Sequence, residues 1–207
     1  MSMLVSMAAF ALASSITPGP VNIVALSAGA RHGLGASLRY AAGATLGFVA
    51  LFLLIGLGLH AALARWPMLT TATQWAGIAF LLYLALRLAL DDGRLSANPA
   101  NPADPADPDA PNVAGPSAAA GAAMQWLNPK AWLACVAAMG AYAADGDRAQ
   151  VWQFAALYLV ICFASIACWA YAGASLRHRL ANARRMRLFN RAMALLLAGS
   201  ALYLLDI

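Results

Sequence analysis

Ile16-Thr17-Pro18-Gly19-Pro20-Val21-Asn22 breaks the first apolar segment of this chain, and Leu127-Asn128-Pro129-Lys130 breaks the fourth. Pro18, Pro20 and Pro129 are the only prolines inside apolar segments. A proline within a helix removes one backbone hydrogen bond and collides with the preceding turn. In lipid the freed polar groups cannot turn to water, so such a break survives only when buried in protein or lining a wet cavity. Two breaks at corresponding places in two halves of a membrane protein mark a transporter's binding site.

The composition places the chain in a bilayer. Of 207 residues, 63% are hydrophobic and 10% charged, and the mean hydropathy is +0.70. Soluble domains carry about 25% charged residues. Six apolar stretches reach the roughly 20 residues that a spanning helix needs: 3–28, 36–63, 67–90, 119–143, 150–175 and 189–206. Met1 to Ala13 has no basic flank of the kind a cleaved signal peptide carries, so it is read as part of the first span. Pro67 starts the third span, where its missing N–H costs nothing.

Between the third and fourth spans, residues 91–117 contain Pro99, Pro102, Pro105, Pro108, Pro111 and Pro116. This Pro/Ala/Asp-rich stretch predicts an extended cytoplasmic linker. It divides the chain into two membrane halves, 1–90 and 118–207. Three spans per half force the halves into opposite orientations. The expected fold is therefore all-α, with six transmembrane helices in two inverted three-helix halves and broken first and fourth helices.

Arginine sets the expected orientation. Arg31, Arg39, Arg87, Arg94, Arg177, Arg179, Arg184, Arg185, Arg187 and Arg191 fall on one side, and only Arg65 and Arg148 on the other. The positive-inside rule then puts both termini in the periplasm. The cluster from Arg177 to Arg191 is foremost a topology signal, with anionic lipid its candidate partner. No nucleic-acid partner is expected.

Pro18 lies 13 residues before Arg31, and Pro129 lies 16 before Asp145. At about 1.5 Å per residue these are roughly 20 and 24 Å of helix, so both breaks fall near the middle of a core about 30 Å thick. The candidate substrate-binding residues are Thr17, Pro18, Gly19, Pro20, Asn22, Asn128, Pro129 and Lys130. A half-helix starting after Pro18 offers amides from Gly19 to Asn22 and a positive dipole end, which suits a carboxylate. Gly19 lets a ligand approach the backbone, and Thr17, Asn22 and Asn128 offer side-chain hydrogen bonds. Lys130 is the only lysine, and all eight acids are aspartates, none well inside a span. A buried lysine there needs a substrate carboxylate, the backbone carbonyls at the breaks, or loss of its proton. The bland alternatives are packing kinks and a snorkelling lysine.

Other features carry less. Cys135, Cys162 and Cys168 read as packing residues without a metal or redox spacing. Gly29/Gly33 and Gly43/Gly47 have the small-xxx-small spacing of close helix packing. Trp66, Trp75 and Trp152 read as interfacial anchors. Trp126 and Trp132 flank the second break, and Thr45, Gln74, Gln125 and Ser165 are possible cavity residues.

At its two breaks the chain resembles the LysE/RhtB family of small bacterial amino-acid exporters. The matching stretches are Ile16 to Asn22, Ser27 to Gly47 with Arg31, and Leu127-Asn128-Pro129-Lys130-Ala131-Trp132. Val21 stands where many members place Asn, and the segment after Lys130 lacks the Leu-Pro-Gln-Phe common there. The resemblance implies efflux of amino acids or close derivatives across the inner membrane, without a cofactor or metal and driven by the proton gradient. A homodimer is a further possibility. Neutral or thiol-containing substrates are favoured, because no intramembrane acid receives a cationic side chain. Three rivals differ in chemistry. A thiol-redox carrier needs paired cysteines in its first and fourth spans, and the first has none. A metal or cation exporter prefers carboxylate, His or thiolate ligands, and His32, His60 and His178 lie at span ends. A non-transporting assembly partner needs no lysine near the midplane.

Overall fold

The computed structural model describes residues 2–59, 67–93, 115–143 and 147–203. Among these, every regular element is a helix: α1 Met3–Ile16, α2 Pro20–His32, α3 Leu34–Leu54, α4 Pro67–Ala89, α5 Ala118–Trp126, α6 Pro129–Tyr142, α7 Arg148–Leu176 and α8 Ala183–Tyr203. A π-turn, Ile55–Leu59, extends α3. Leu34–Gly58 and Arg148–Leu176 are each long and apolar enough to cross a membrane, and α1 with α2 makes a third such length bent by 58°. Most of the predicted linker, with Arg94, lies outside the described residues, as do His60, Arg65, Trp66, Asp145 and the side chain of Gln74.

The helices end where the prolines dictate. Gly19 and Asn128 are the N-caps of α2 and α6, and Pro20 and Pro129 occupy their first turns. Proline is suited to that position because its absent N–H is one of the unpaired ones anyway. The first break is thus the three-residue stretch Thr17 to Gly19, and the second is Leu127-Asn128.

Small residues bring the backbones together. A methyl on Gly173 would stand 2.0 Å from the Leu26 carbonyl oxygen, and one on Gly29 would stand 2.3 Å from that of Ala170, so α2 and α7 meet backbone to backbone. Gly43 and Gly47 do the same for α3 against Ala118 and Ala122 of α5. Such stripes replace the hydrophobic driving force that lipid does not supply. Gly33 departs from the packing expected of it: it turns the chain between α2 and α3 at φ 81°, a conformation that side chains disfavour.

Large apolar side chains point outward instead. Leu46, Val160, Leu195, Trp75 and Trp152 are all exposed, as befits a surface solvated by lipid tails. Phe10, Phe48, Phe52, Phe154 and Tyr158 form the main aromatic core, with ring centroids of Phe48 and Tyr158 4.6 Å apart and of Phe154 and Tyr158 5.0 Å apart. Phe48/Phe52 and Phe154/Tyr158 recur at i,i+4, which puts each pair on one helix face.

One expectation is corrected. Arg177 does not belong to the exposed cluster that Arg179, Arg184, Arg185, Arg187 and Arg191 form. It is 1% exposed and donates to the carbonyls of Ala30 and Arg31 at the end of α2. A cation at a helix C-terminus satisfies carbonyls that have no intrahelical donor.

Replacing Gly173 by Leu forces α2 off α7 and is expected to cost about 1–3 kcal/mol. Gly140→Leu, where an added Cβ meets nothing within 4 Å, is expected to leave the melting temperature of the detergent-solubilised protein unchanged.

Candidate substrate site at the two helix breaks

Proline 18 removes the donor that would serve the Ser14 carbonyl, and Pro20 the one for Ile16. Each freed oxygen finds a replacement. Thr17 Oγ1 donates to the Ser14 carbonyl at 3.4 Å, and the Trp169 indole donates to that of Ile16 at 3.0 Å. Asn22 Nδ2 donates to the carbonyls of Ser15 at 2.8 Å and Thr17 at 2.9 Å. A buried carbonyl left unpaired costs about 1–3 kcal/mol, more in a medium without water.

Lys130 completes the set from the far half of the chain. Its Nζ donates to Thr17 Oγ1 at 2.8 Å, to the Thr17 carbonyl at 3.1 Å and to the Pro18 carbonyl at 3.4 Å. An ammonium has three donors, and the first break supplies three oxygens. Of the partners expected for Lys130, the backbone carbonyls at the break are the ones present. Gly19 leaves the room for this: a Cβ there would lie 3.1 Å from Nζ and 3.3 Å from Cδ of Lys130.

The second break is closed in a parallel way. Asn128 Oδ1 accepts from the Lys130 amide at 3.2 Å, its carbonyl accepts from the Ala131 amide at 2.9 Å, and its own amide reaches the Gln125 carbonyl at 3.2 Å. The Trp132 indole donates to the Trp126 carbonyl at 2.8 Å. In both breaks, then, an indole N–H takes the carbonyl of the last residue of the preceding half-helix. Trp126 sends its own indole to the Gly47 carbonyl of α3 at 3.1 Å. Gly77 of α4 lies against the break, where an added Cβ would stand 2.3 Å from the Leu127 carbonyl oxygen.

The breaks share one small cavity. Gly19 and Asn22 line it from the first, Asn128 and Lys130 from the second, and Ser14, Ser15, Gln125 and Cys162 complete its polar wall. Its volume is about 40 Å³, room for water but well under the roughly 300 Å³ of a ligand pocket. Thr17, Pro18, Pro20 and Pro129 do not line it. Thr17 and Pro18 hold Lys130, while Pro20 and Pro129 start the half-helices. The amides expected from Gly19 to Asn22 are reduced, because Pro20 has none, leaving Val21 and Asn22 in the first turn of α2. Asn22 spends its amide hydrogens on the break and not on the cavity.

Ser14, Ser15 and Trp169 were not among the predicted site residues. The Ser14-Ser15 pair directly before Thr17-Pro18 was a usable signal, since two adjacent hydroxyls are uncommon in an apolar span. Trp169 gave none. Thr45 and Ser165, expected at a cavity, are buried, and the Ser165 hydroxyl has no hydrogen-bond partner among the described residues. Cys135 and Cys162 are buried and Cys168 is exposed. Among the described residues, no three His, Cys, Asp or Glu side chains are grouped so as to hold a metal ion.

Residues 12–206 match the model of the LysE type translocator family. The chain belongs to the LysE translocator family. It is a membrane translocator, not an enzyme. It is 30% identical over 171 residues to the cysteine/O-acetylserine efflux protein of Escherichia coli K12, covering 79% of this chain and 78% of that one. The protein of the same name from Klebsiella pneumoniae is 28% identical over 169 residues, with the same coverage. No solved structure matches the chain.

Trp169→Phe and Trp132→Phe each leave one break carbonyl without its donor. Each is expected to lower stability by about 1–3 kcal/mol, and the double variant by about the sum if the breaks are independent. Thermal melts of the single and double variants check this.

Proposed function

We propose that this translocator exports small neutral or thiol-containing amino acids, or close derivatives, from the cytoplasm across the bacterial inner membrane. Cysteine and O-acetylserine are the first to test, since they are named for the similar efflux proteins. The observation that carries the reading is Lys130 bonding across to Thr17 and Pro18, which joins two distant breaks around one cavity.

A zwitterion is the ligand that can open that joint without leaving either side unpaired. Its carboxylate takes the Lys130 ammonium, helped by the free amides of the α2 first turn. Its ammonium takes the Thr17 and Pro18 carbonyls that Lys130 releases. A ligand with only one of these charges satisfies only one side. Among the described residues the cavity lining contains no acid, so a second positive charge on the substrate meets no counter-ion among them. This disfavours basic amino acids.

The packing supports two inverted three-helix halves, 1–90 and 118–207. Exchanging the halves turns the α3–α5 contact into α7–α1, and maps α3–α7 and α4–α8 onto themselves; all four contacts are present. The exchange fails around α2, which also packs on α3 where α6 makes no comparable contact with α7. Helix α2 sits firmly on α7, while its counterpart α6 only grazes α3. In this reading the arginine-bearing loops and the 91–117 linker are cytoplasmic and both termini periplasmic. The proton gradient drives export, and the exposed Arg179 to Arg191 face meets anionic lipid. A homodimer would pack through the exposed apolar faces.

Cells producing this protein are expected to tolerate an excess of exported amino acids and to accumulate them in the medium, as a comparison of culture-medium metabolites shows. Lys130→Ala is expected to reduce this efflux by at least tenfold with membrane insertion intact. Full efflux of every amino acid tested by Lys130→Ala rules out the carboxylate role.

A further inference from the structure

A second and larger cavity lies at the Arg31 end, where α2 faces α4 and α8. Its volume is about 490 Å³, within the usual range of small-molecule pockets. Val24, Ser27 and Arg31 line it from α2, Leu84 and Arg87 from α4, Asp91 and Asp92 from the end of α4, and Asn190 from α8. Its charged wall is partly organised. Arg31 pairs with Asp91, and Asp91 also accepts from Asn190 Nδ2 at 3.0 Å and from the Gly93 amide at 2.8 Å.

The same wall holds polar atoms without a partner among the described residues. Ser27 is 6% exposed and Asn190 1% exposed, yet Ser27 Oγ and Asn190 Oδ1 find no hydrogen-bond partner among the described residues. Arg31 Nε, also buried, has none either. Buried polar groups are nearly always paired, and exceptions call for an explanation. Here a cationic donor, a hydroxyl and an amide acceptor all border one cavity that also carries both signs of charge.

We propose that this cavity is a second binding site for a small zwitterionic amino acid, a loading site at the cytoplasmic mouth. The carboxylate meets Arg31 Nε and the Ser27 hydroxyl. The ammonium meets Asn190 Oδ1, on the residue whose Nδ2 is held by Asp91. The assignment rests on the exporter reading for its direction and substrate class. From Arg31 to Asn22 is nine residues, roughly 14 Å along α2, so one short helix borders both sites.

The test is equilibrium binding of radiolabelled O-acetyl-L-serine to the purified full-length protein carrying Lys130→Ala, which disables the break site. The expected result is binding that persists. It is competed by unlabelled L-serine but not by its methyl ester or by lactate. Adding Ser27→Ala or Arg31→Lys weakens it about tenfold. Ser27→Ala removes a hydroxyl with no partner among the described residues, so the melting temperature of the unliganded protein stays the same or rises. Absence of binding in Lys130→Ala protein overturns the loading site, as does unchanged affinity in both added variants. Transport by wild-type proteoliposomes is measured alongside. Its absence there defeats the exporter reading, while the binding result still decides the site.

Discussion

Five consecutive carbonyls, from Ser14 to Pro18, lose helical donors in the middle of an apolar segment, and the rest of the structure is arranged to satisfy them. The donors come from Thr17, Asn22, Trp169 and Lys130. Two of these are local and two lie more than a hundred residues away. The bond from Lys130 is therefore structural as well as part of the proposed site. In lipid, where an unpaired backbone group has no water to fall back on, it fastens the start of α6 to the end of α1.

A fastening of this kind suits a transporter because something else can replace it. The ammonium of Lys130 and the oxygens of Thr17 and Pro18 are complementary to each other, and together they are complementary to a zwitterion. In the proposed function, binding exchanges one set of paired groups for another at little net cost, which is what a carrier that must also release its cargo requires. Helix α2 sits at the centre of this arrangement. Its first turn borders the break site, Gly29 holds it to α7, and Arg31 at its last turn pairs with Asp91. A shift of α2 would be felt at all three places.

Much of this was legible in the sequence, because the signals were local. Pro18, Pro20 and Pro129 fixed where helices stop and restart, since a missing N–H acts wherever it sits. The solitary Lys130 identified its own need for a partner. Gly29, Gly43 and Gly47 announced close packing by their spacing. What remained hidden depended on long-range partners. Trp132 was legible only as a flank of the second break, and Trp169 gave no signal until its indole met the terminal carbonyl of α1. Arg177 looked like one more member of a basic cluster, but burial against α2 set it apart. Asn22 and Asn128 were read as ligand contacts; both line the cavity, and both also spend hydrogen bonds on the breaks. Hydrogen-bonding capacity was visible in those residues; the identity of the partner was not.

The central claim is that the two breaks form one site, and proximity across them tests it most directly. Thr17→Cys and Lys130→Cys can be combined in a protein whose Cys135, Cys162 and Cys168 are replaced by serine or alanine, then treated in native membranes with a short bifunctional thiol reagent. The account predicts an intramolecular cross-link between the two positions, formed less readily when a transported amino acid is present. Failure to cross-link in membranes where both single-cysteine proteins react with the monofunctional reagent would contradict it.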